Sequence, residues 1–134
     1  MEKLYVVVRG DLSPGDQLAQ SAHAVSAFAR THRELHDAWS DSNKNLVILA
    51  IESEAALEDL LLAATQAGIP WSDFHEPDLR NERTACAFTD GVSKLVSSLP
   101  LALRRRCPTC KAALRGQSCP DCRARIVASC AECA

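Results

Sequence analysis

Six of the seven cysteines fall after residue 106, in three C-x-x-C pairs, which divides the chain into a cysteine-poor body and a cysteine-rich tail. Cys107-Pro108-Thr109-Cys110 and Cys119-Pro120-Asp121-Cys122 are near copies separated by eight residues. A C-x-x-C turn points both sulfurs at one ion, and two such turns facing each other make a tetrahedral site of four thiolates. The expected ligands are therefore Cys107, Cys110, Cys119 and Cys122, and the expected ion is Zn2+. The tail is too short to bury a core of its own, so metal binding would supply most of its folding free energy. Four protein thiolates leave no position for water, so the zinc is expected to be structural. Disulfides, a redox dithiol or an iron centre are the alternatives. The third pair, Cys130 and Cys133, reads as half of a truncated second site, a competing ligand pair, a free dithiol or an idle remnant. Cys86 lies in an apolar stretch and reads as a small buried residue.

A chain of 134 residues with 47% apolar content can form one ordinary domain plus an appendage. No stretch approaches the roughly 18 apolar residues of a membrane span, so no membrane partner is expected. Met1-Glu2-Lys3 leads directly into a strand-like run rather than a signal peptide, and the expected compartment is the cytoplasm. In that compartment cysteine pairs read as metal ligands. The formal charge of -2 conceals an asymmetry. Residues 1–100 hold 8 Lys/Arg against 15 Asp/Glu, whereas residues 101–134 hold 7 against 2. A basic appendage on an acidic body fits a polyanionic partner such as RNA, or simply keeps a short tail soluble.

Along the body, residues 3–9 read as a buried strand and Asp11 to Gly15 as a loop. Ser13 can cap the next helix and Pro14 suits its first position. That helix is expected to reach about Arg33, with Leu18, Ala22, Val25 and Ala29 on one face and Gln20, His23 and Arg30 on another. His32 to Asn45 is polar and reads as loop or frayed helix, with Trp39 plugging the edge of the core. Leu46 to Ile51 is a second buried strand. Ser53 caps a helix whose Leu57, Leu60, Leu61 and Ala64 face inward, and Gly68 and Pro70 end it. Trp71 to His75 is a short strand, Glu76 to Arg83 a charged loop, and Thr84 to Phe88 a fourth strand. Asp90 is expected to cap a last helix running to about Leu99. The order β-α-β-α-β-β-α predicts an α/β fold, a mixed sheet with helices packed against it. The expected domains are 1–99, a linker over 100–106, and the tail over 107–134.

Three segments of the body can carry chemistry: Val8-Arg9-Gly10-Asp11-Leu12-Ser13-Pro14-Gly15, Ala19-Gln20-Ser21-Ala22-His23-Ala24, and Phe74-His75-Glu76-Pro77-Asp78-Leu79 with the following Thr84. Strand ends and helix starts are where open α/β sheets place their sites. These segments resemble the type II peptidyl-tRNA hydrolases, which open with a strand, an R-x-D-L-like turn, a glycine at the helix start and A-Q-x-x-H-A on the helix. Arg9, Asp11, Leu12, Gly15, Ala19, Gln20, His23 and Ala24 match that pattern. The resemblance covers roughly residues 3–90. The tail is similar to the short bacterial zinc ribbons, although Lys111 and Arg123 stand where a glycine often follows each knuckle.

The resemblance implies four strands in a mixed sheet between helices, a homodimer, and hydrolysis of the ester that joins a peptide to the 3′ end of tRNA. It places His23, Asp11, Glu76 and Thr84 as catalytic candidates and Arg9, Gln20, Asp16 and Asp78 as substrate contacts. Two departures stand out. Asp16 occupies the place where the family has lysine after the helix-start glycine, and Glu76-Pro77-Asp78-Leu79 replaces an aspartate-alanine-glycine turn. If Asp11, Asp16, Glu76 and Asp78 converge, they could raise one another's pKa or recruit a divalent ion. Structural readings stand beside the functional ones: Arg9 and Asp11 as a turn-capping ion pair, His23 on a loop carbonyl, Gln20 as a packing partner, and Glu76 and Asp78 as a solvated loop. A catalytically inactive RNA- or protein-binding module of the same fold is the alternative to the hydrolase.

Overall fold

The structure, a computed structural model, describes residues 1–104, and Met1–Leu103 forms one compact unit. Cys107, Cys110, Cys119 and Cys122, expected as zinc ligands, lie outside the described residues. The elements are β1 (Lys3–Arg9), α1 (Pro14–Thr31), α2 (Arg33–Asp41), β2 (Asn45–Ile51), α3 (Glu54–Gln66), β3 (Trp71–Glu76) and β4 (Glu82–Thr89). Four strands form one mixed sheet in the order β2-β1-β4-β3, with β1 parallel to β2 and antiparallel to β4. The α/β class and the four-stranded mixed sheet expected from the pattern are thus present.

Strand alternation sends the two faces of the sheet into two cores. Leu4, Val6, Val8, Ala85 and Ala87 face α1 and α2, packing on Ala24, Phe28 and Trp39. Val7, Leu49, Ile51, Cys86 and Phe88 face α3, packing on Leu57, Leu60, Leu61 and Ala64. Burial pushes the Cys86 thiol well above its ordinary pKa, with Asp73 adding to the rise, so it is an inert core residue. The Ser13 hydroxyl accepts the Asp16 N–H and caps α1, and Ser53 does the same for α3 through Ala56. Gly68 takes a φ of 70° at the end of α3, where Ile69 N–H reaches Ala64 O and Gly68 N–H reaches Thr65 O. This double closure needs a left-handed residue, and glycine adopts that conformation without cost. No helix among the described residues is long and apolar enough to cross a membrane.

Four local expectations are corrected. Residues 33–41 form a separate helix rather than a loop or frayed helix end, because Leu35 and Trp39 fall on one side and reach the core, where the Trp39 indole N–H also donates to Asn45 O. The segment after β4 is a 3-10 turn over Asp90–Lys94 rather than a helix to Leu99, and Thr89 is its cap residue. Asp90 instead accepts the Glu2 N–H, tying the start of β1 to the end of β4. Strands β3 and β4 extend through Glu76 and from Glu82, leaving a short connection with a 3-10 turn over Pro77–Leu79. The fourth correction concerns the inner face of α1, which buries Gln17, Gln20, Ser21, Ala24 and Phe28 while Leu18 is 59% exposed. Beyond Leu99, Pro100 O accepts the Ala50 N–H and Ala102 N–H donates to Ile48 O, so the segment read as a connector lies along the outer edge of β2.

Candidate functional site

The inner face of α1, turned by one residue from the expected stripe, has a chemical cause. Its N-terminal half packs over the ends of β3 and β4, where the sheet offers polar groups instead of an apolar surface. Gln17 Nε2 donates to Leu12 O at 2.8 Å, fastening the loop before the helix. One turn later, Gln20 is 4% exposed and bridges two side chains. Its Nε2 donates to Glu76 Oε2 at 2.7 Å, and its Oε1 accepts the Thr84 hydroxyl at 2.7 Å. A buried amide that met no partner would cost about 1–3 kcal/mol, so these contacts hold the glutamine inward.

Thr84 reaches α1 through an irregularity in the sheet. Phe74 pairs with Ala85 but His75 pairs with Arg83, which leaves Thr84 as an extra residue in β4. Strict alternation would place its side chain with Cys86 and Phe88 on the α3 face. A bulge of this kind re-aims a side chain, and here the fully buried hydroxyl turns toward Gln20. Phe74 and Glu76, two apart on β3, share the α1 face. The His23 ring stacks on Phe74 with centroids 4.2 Å apart and planes 13° from parallel. His23 and Glu76 therefore share the α1 side of β3 at the surface, with Gln20 and Thr84 buried beneath Glu76.

The Glu76 carboxyl is held below its ordinary pKa, first by the Gln20 amide, then by the Asp78 N–H, with the His23 charge contributing last. Asp78 takes part through its backbone, donating to Glu76 Oε1 at 3.2 Å. The result is a half-exposed carboxylate fixed on both oxygens and ionised at neutral pH.

Arg9 and Asp11 belong to a second group. Arg9 Nε and Nη2 clasp Asp11 at 3.1 and 2.8 Å, and Nη1 donates to Glu82 Oε2 at 2.8 Å. Glu54 Oε2 lies 4.0 Å from Nη1 and accepts the Arg83 N–H at 2.6 Å. The Asp11 contact raises the Arg9 pKa further and, reciprocally, the Arg9 hydrogen bonds hold the Asp11 carboxyl below its usual value. All three nitrogens of this guanidinium have partners within the fold. Asp16 is exposed at the start of α1, and its N–H lies on the Ser13 cap. Among the described residues no group of three His, Cys, Asp or Glu side chains could hold a metal ion.

The ion pair makes a stability prediction. Arg9→Ala is expected to cost about 2–3 kcal/mol at neutral pH, below the 3–5 of a fully buried pair because Asp11 and Glu82 are 43% and 36% exposed. Asp11 has a lowered pKa in the folded state, so its contribution is present above the unfolded value and lost as pH falls through the folded one. Thermal melts should show the gap between wild type and variant closing as pH drops below about 4. A gap that stays constant down to pH 2 would refute the assignment.

From sequence, Phe74 stood in a candidate segment without a role of its own, and Glu82 was not apparent as a site residue. Phe74 carried a signal, since alternation places it on the same face as Glu76; Glu82 carried none, being 73 positions from Arg9. No curated protein matches the chain. A solved protein of unknown function from Agrobacterium tumefaciens strain C58 is similar in fold, with a TM-score of 0.52 and 16% identity over 74% of this chain and 96% of that one. Residues 2–101 match the family model described as Peptidyl-tRNA hydrolase PTH2, and the chain belongs to that family.

Proposed function

We propose that the body hydrolyses the ester between a peptide and the 3′ end of tRNA, with Glu76 as the general base. The observation that carries this reading is the Thr84–Gln20–Glu76 chain, which fixes an ionised carboxylate beside His23 on the surface. Glu76 takes a proton from water as the water oxygen attacks the ester carbonyl carbon. The resulting oxyanion collapses, the bond to the ribose oxygen breaks, and that oxygen takes a proton. His23, oriented by Phe74, is placed to hydrogen-bond the oxyanion or deliver that proton. Gln20 and Thr84 act as positioning residues, since both are buried.

The tail fits zinc by its donor set: four cysteines in two C-x-x-C pairs match the soft, tetrahedral preference of the ion. Zinc held by Cys107, Cys110, Cys119 and Cys122 would fold the tail and take no part in the hydrolysis. The basic residues after 104 are then a handle for the tRNA backbone.

Release of peptide from purified peptidyl-tRNA tests the function. Turnover by the full zinc-loaded chain is expected, and its absence at high protein concentration overturns the hydrolase reading. Asp16 favours a second reading, a non-catalytic RNA- or protein-binding module, because a carboxylate stands exposed where the family carries lysine. That reading is supported if tRNA binds without release of peptide.

A further inference from the structure

A site that cleaves an ester on tRNA must tolerate the phosphates next to that ester. The family's lysine at the helix start is Asp16 here, and the two arginines closest to the site by strand position are occupied. Arg9 is held by Asp11 and Glu82. Arg83 Nε donates to Asp73 at 2.7 Å, and its Nη1 lies 3.6 Å from Glu58. The connection between β3 and β4 contains a third arginine. Arg80 is exposed and makes no ion pair or hydrogen bond through its side chain among the described residues.

The backbone at Arg80 is unusual. Its φ and ψ are 55° and 30°, and Asn81 follows with a φ of 57°. Two consecutive left-handed residues suit a hairpin turn, but the favoured residues are Asn, Asp and Gly. Asn81 satisfies that preference, whereas Arg80 pays a steric penalty that glycine would avoid. The turn is also pinned on both sides. Asp78 N–H donates to Glu76 Oε1, and His75 Nδ1 lies 3.0 Å from Asn81 O. A cation unpaired among the described residues is thus held in a disfavoured conformation four positions after the proposed base, in a connection whose other anchor is that base. Lys44 and Leu103 share a positive φ away from the site, so the backbone alone does not mark Arg80; its exposure and its place beside the base do.

We propose that Arg80 is the cation that meets a phosphate of the tRNA 3′ strand and holds the ester against Glu76. The proposal rests on the hydrolase reading for its substrate, but its test does not depend on turnover. Full-length Arg80→Gly protein is titrated with deacylated tRNA over a range of salt concentrations. Its Kd is expected to rise about tenfold, and the slope of log affinity against log salt to fall in magnitude by about 1. Its Tm is expected to match or exceed that of the wild type, since glycine relieves the backbone. Arg80→Lys should recover part of the affinity, and Arg80→Glu should weaken it beyond the glycine variant. If glycine leaves both Kd and salt slope unchanged, Arg80 is only a turn residue and the proposal fails. If wild-type protein cleaves no peptidyl-tRNA, the hydrolase reading falls while the titrations still decide the role of Arg80.

Discussion

Glutamine in place of Glu76 is expected to lower kcat for peptidyl-tRNA by about 10²–10⁴-fold, the range over which a positioned general base acts. The substitution keeps shape and removes charge. Glu76 is half-exposed and its partners are an amide and a backbone N–H, so the fold should melt as the wild type does. The pH profile is a second readout. Because Gln20 and the Asp78 N–H hold the carboxyl below its ordinary pKa, kcat/KM should rise with pH at or below the usual carboxylate range and be flat toward neutrality. Gln20→Ala removes the larger of these influences, so its acidic limb should move upward. A Glu76→Gln enzyme of wild-type rate would remove Glu76 from the mechanism. An unmoved limb in the Gln20 variant would leave the relay without a role.

Removing residues 105–134 is expected to weaken tRNA binding by about 10–100-fold at physiological salt, with a salt slope smaller in magnitude by about 2–3. The compact unit ends at Leu103, so the truncated body is complete. It carries the net negative charge of the chain, and the removed segment carries the excess of Lys/Arg. A polyanion approaching the body alone meets Asp11, Asp16, Glu76, Asp78 and Glu82 along the site segments against Arg80, with Arg9 already neutralised. Metal analysis of the full chain should find about one zinc per molecule, the content of a four-cysteine site, and chelation should reproduce the loss of affinity. Unchanged affinity after truncation would mean that the tail is not the handle, whatever metal it holds.

The order of β1, α1, β2, α3, β3 and β4 was legible because each carries its own signals, whereas α2 and the 3-10 turn after β4 were not. Ser13 and Ser53 cap helices where expected, and Gly68 closes α3. The inner face of α1 was not legible. A stripe of Leu18, Ala22, Val25 and Ala29 points to the core only if the surface opposite is apolar. Here that surface presents Thr84 and Glu76, and hydrogen bonding to Gln20 decides the rotation of the helix. The bulge at Thr84 is a property of pairing between strands, and nothing local in Glu82-Arg83-Thr84-Ala85 announces it. Arg9 with Asp11 could be anticipated from proximity along the chain, but closure of the cluster by Glu82 and Glu54 depends on the tertiary arrangement.

The strand-like run of Pro100 to Ala102 beside β2 also governs how copies of the body can meet. A free sheet edge is a template onto which another chain can add. On the β2 side that template is occupied by the protein's own backbone, through the Ala50 and Ala102 N–H groups. On the opposite side β3 carries Asp73, His75 and Glu76, charged or titratable residues of the kind that discourage addition. Shortening the chain to residue 99 would strip the first guard while leaving the second, and would open the Ala50 N–H and Ile48 carbonyl of β2 to an added strand.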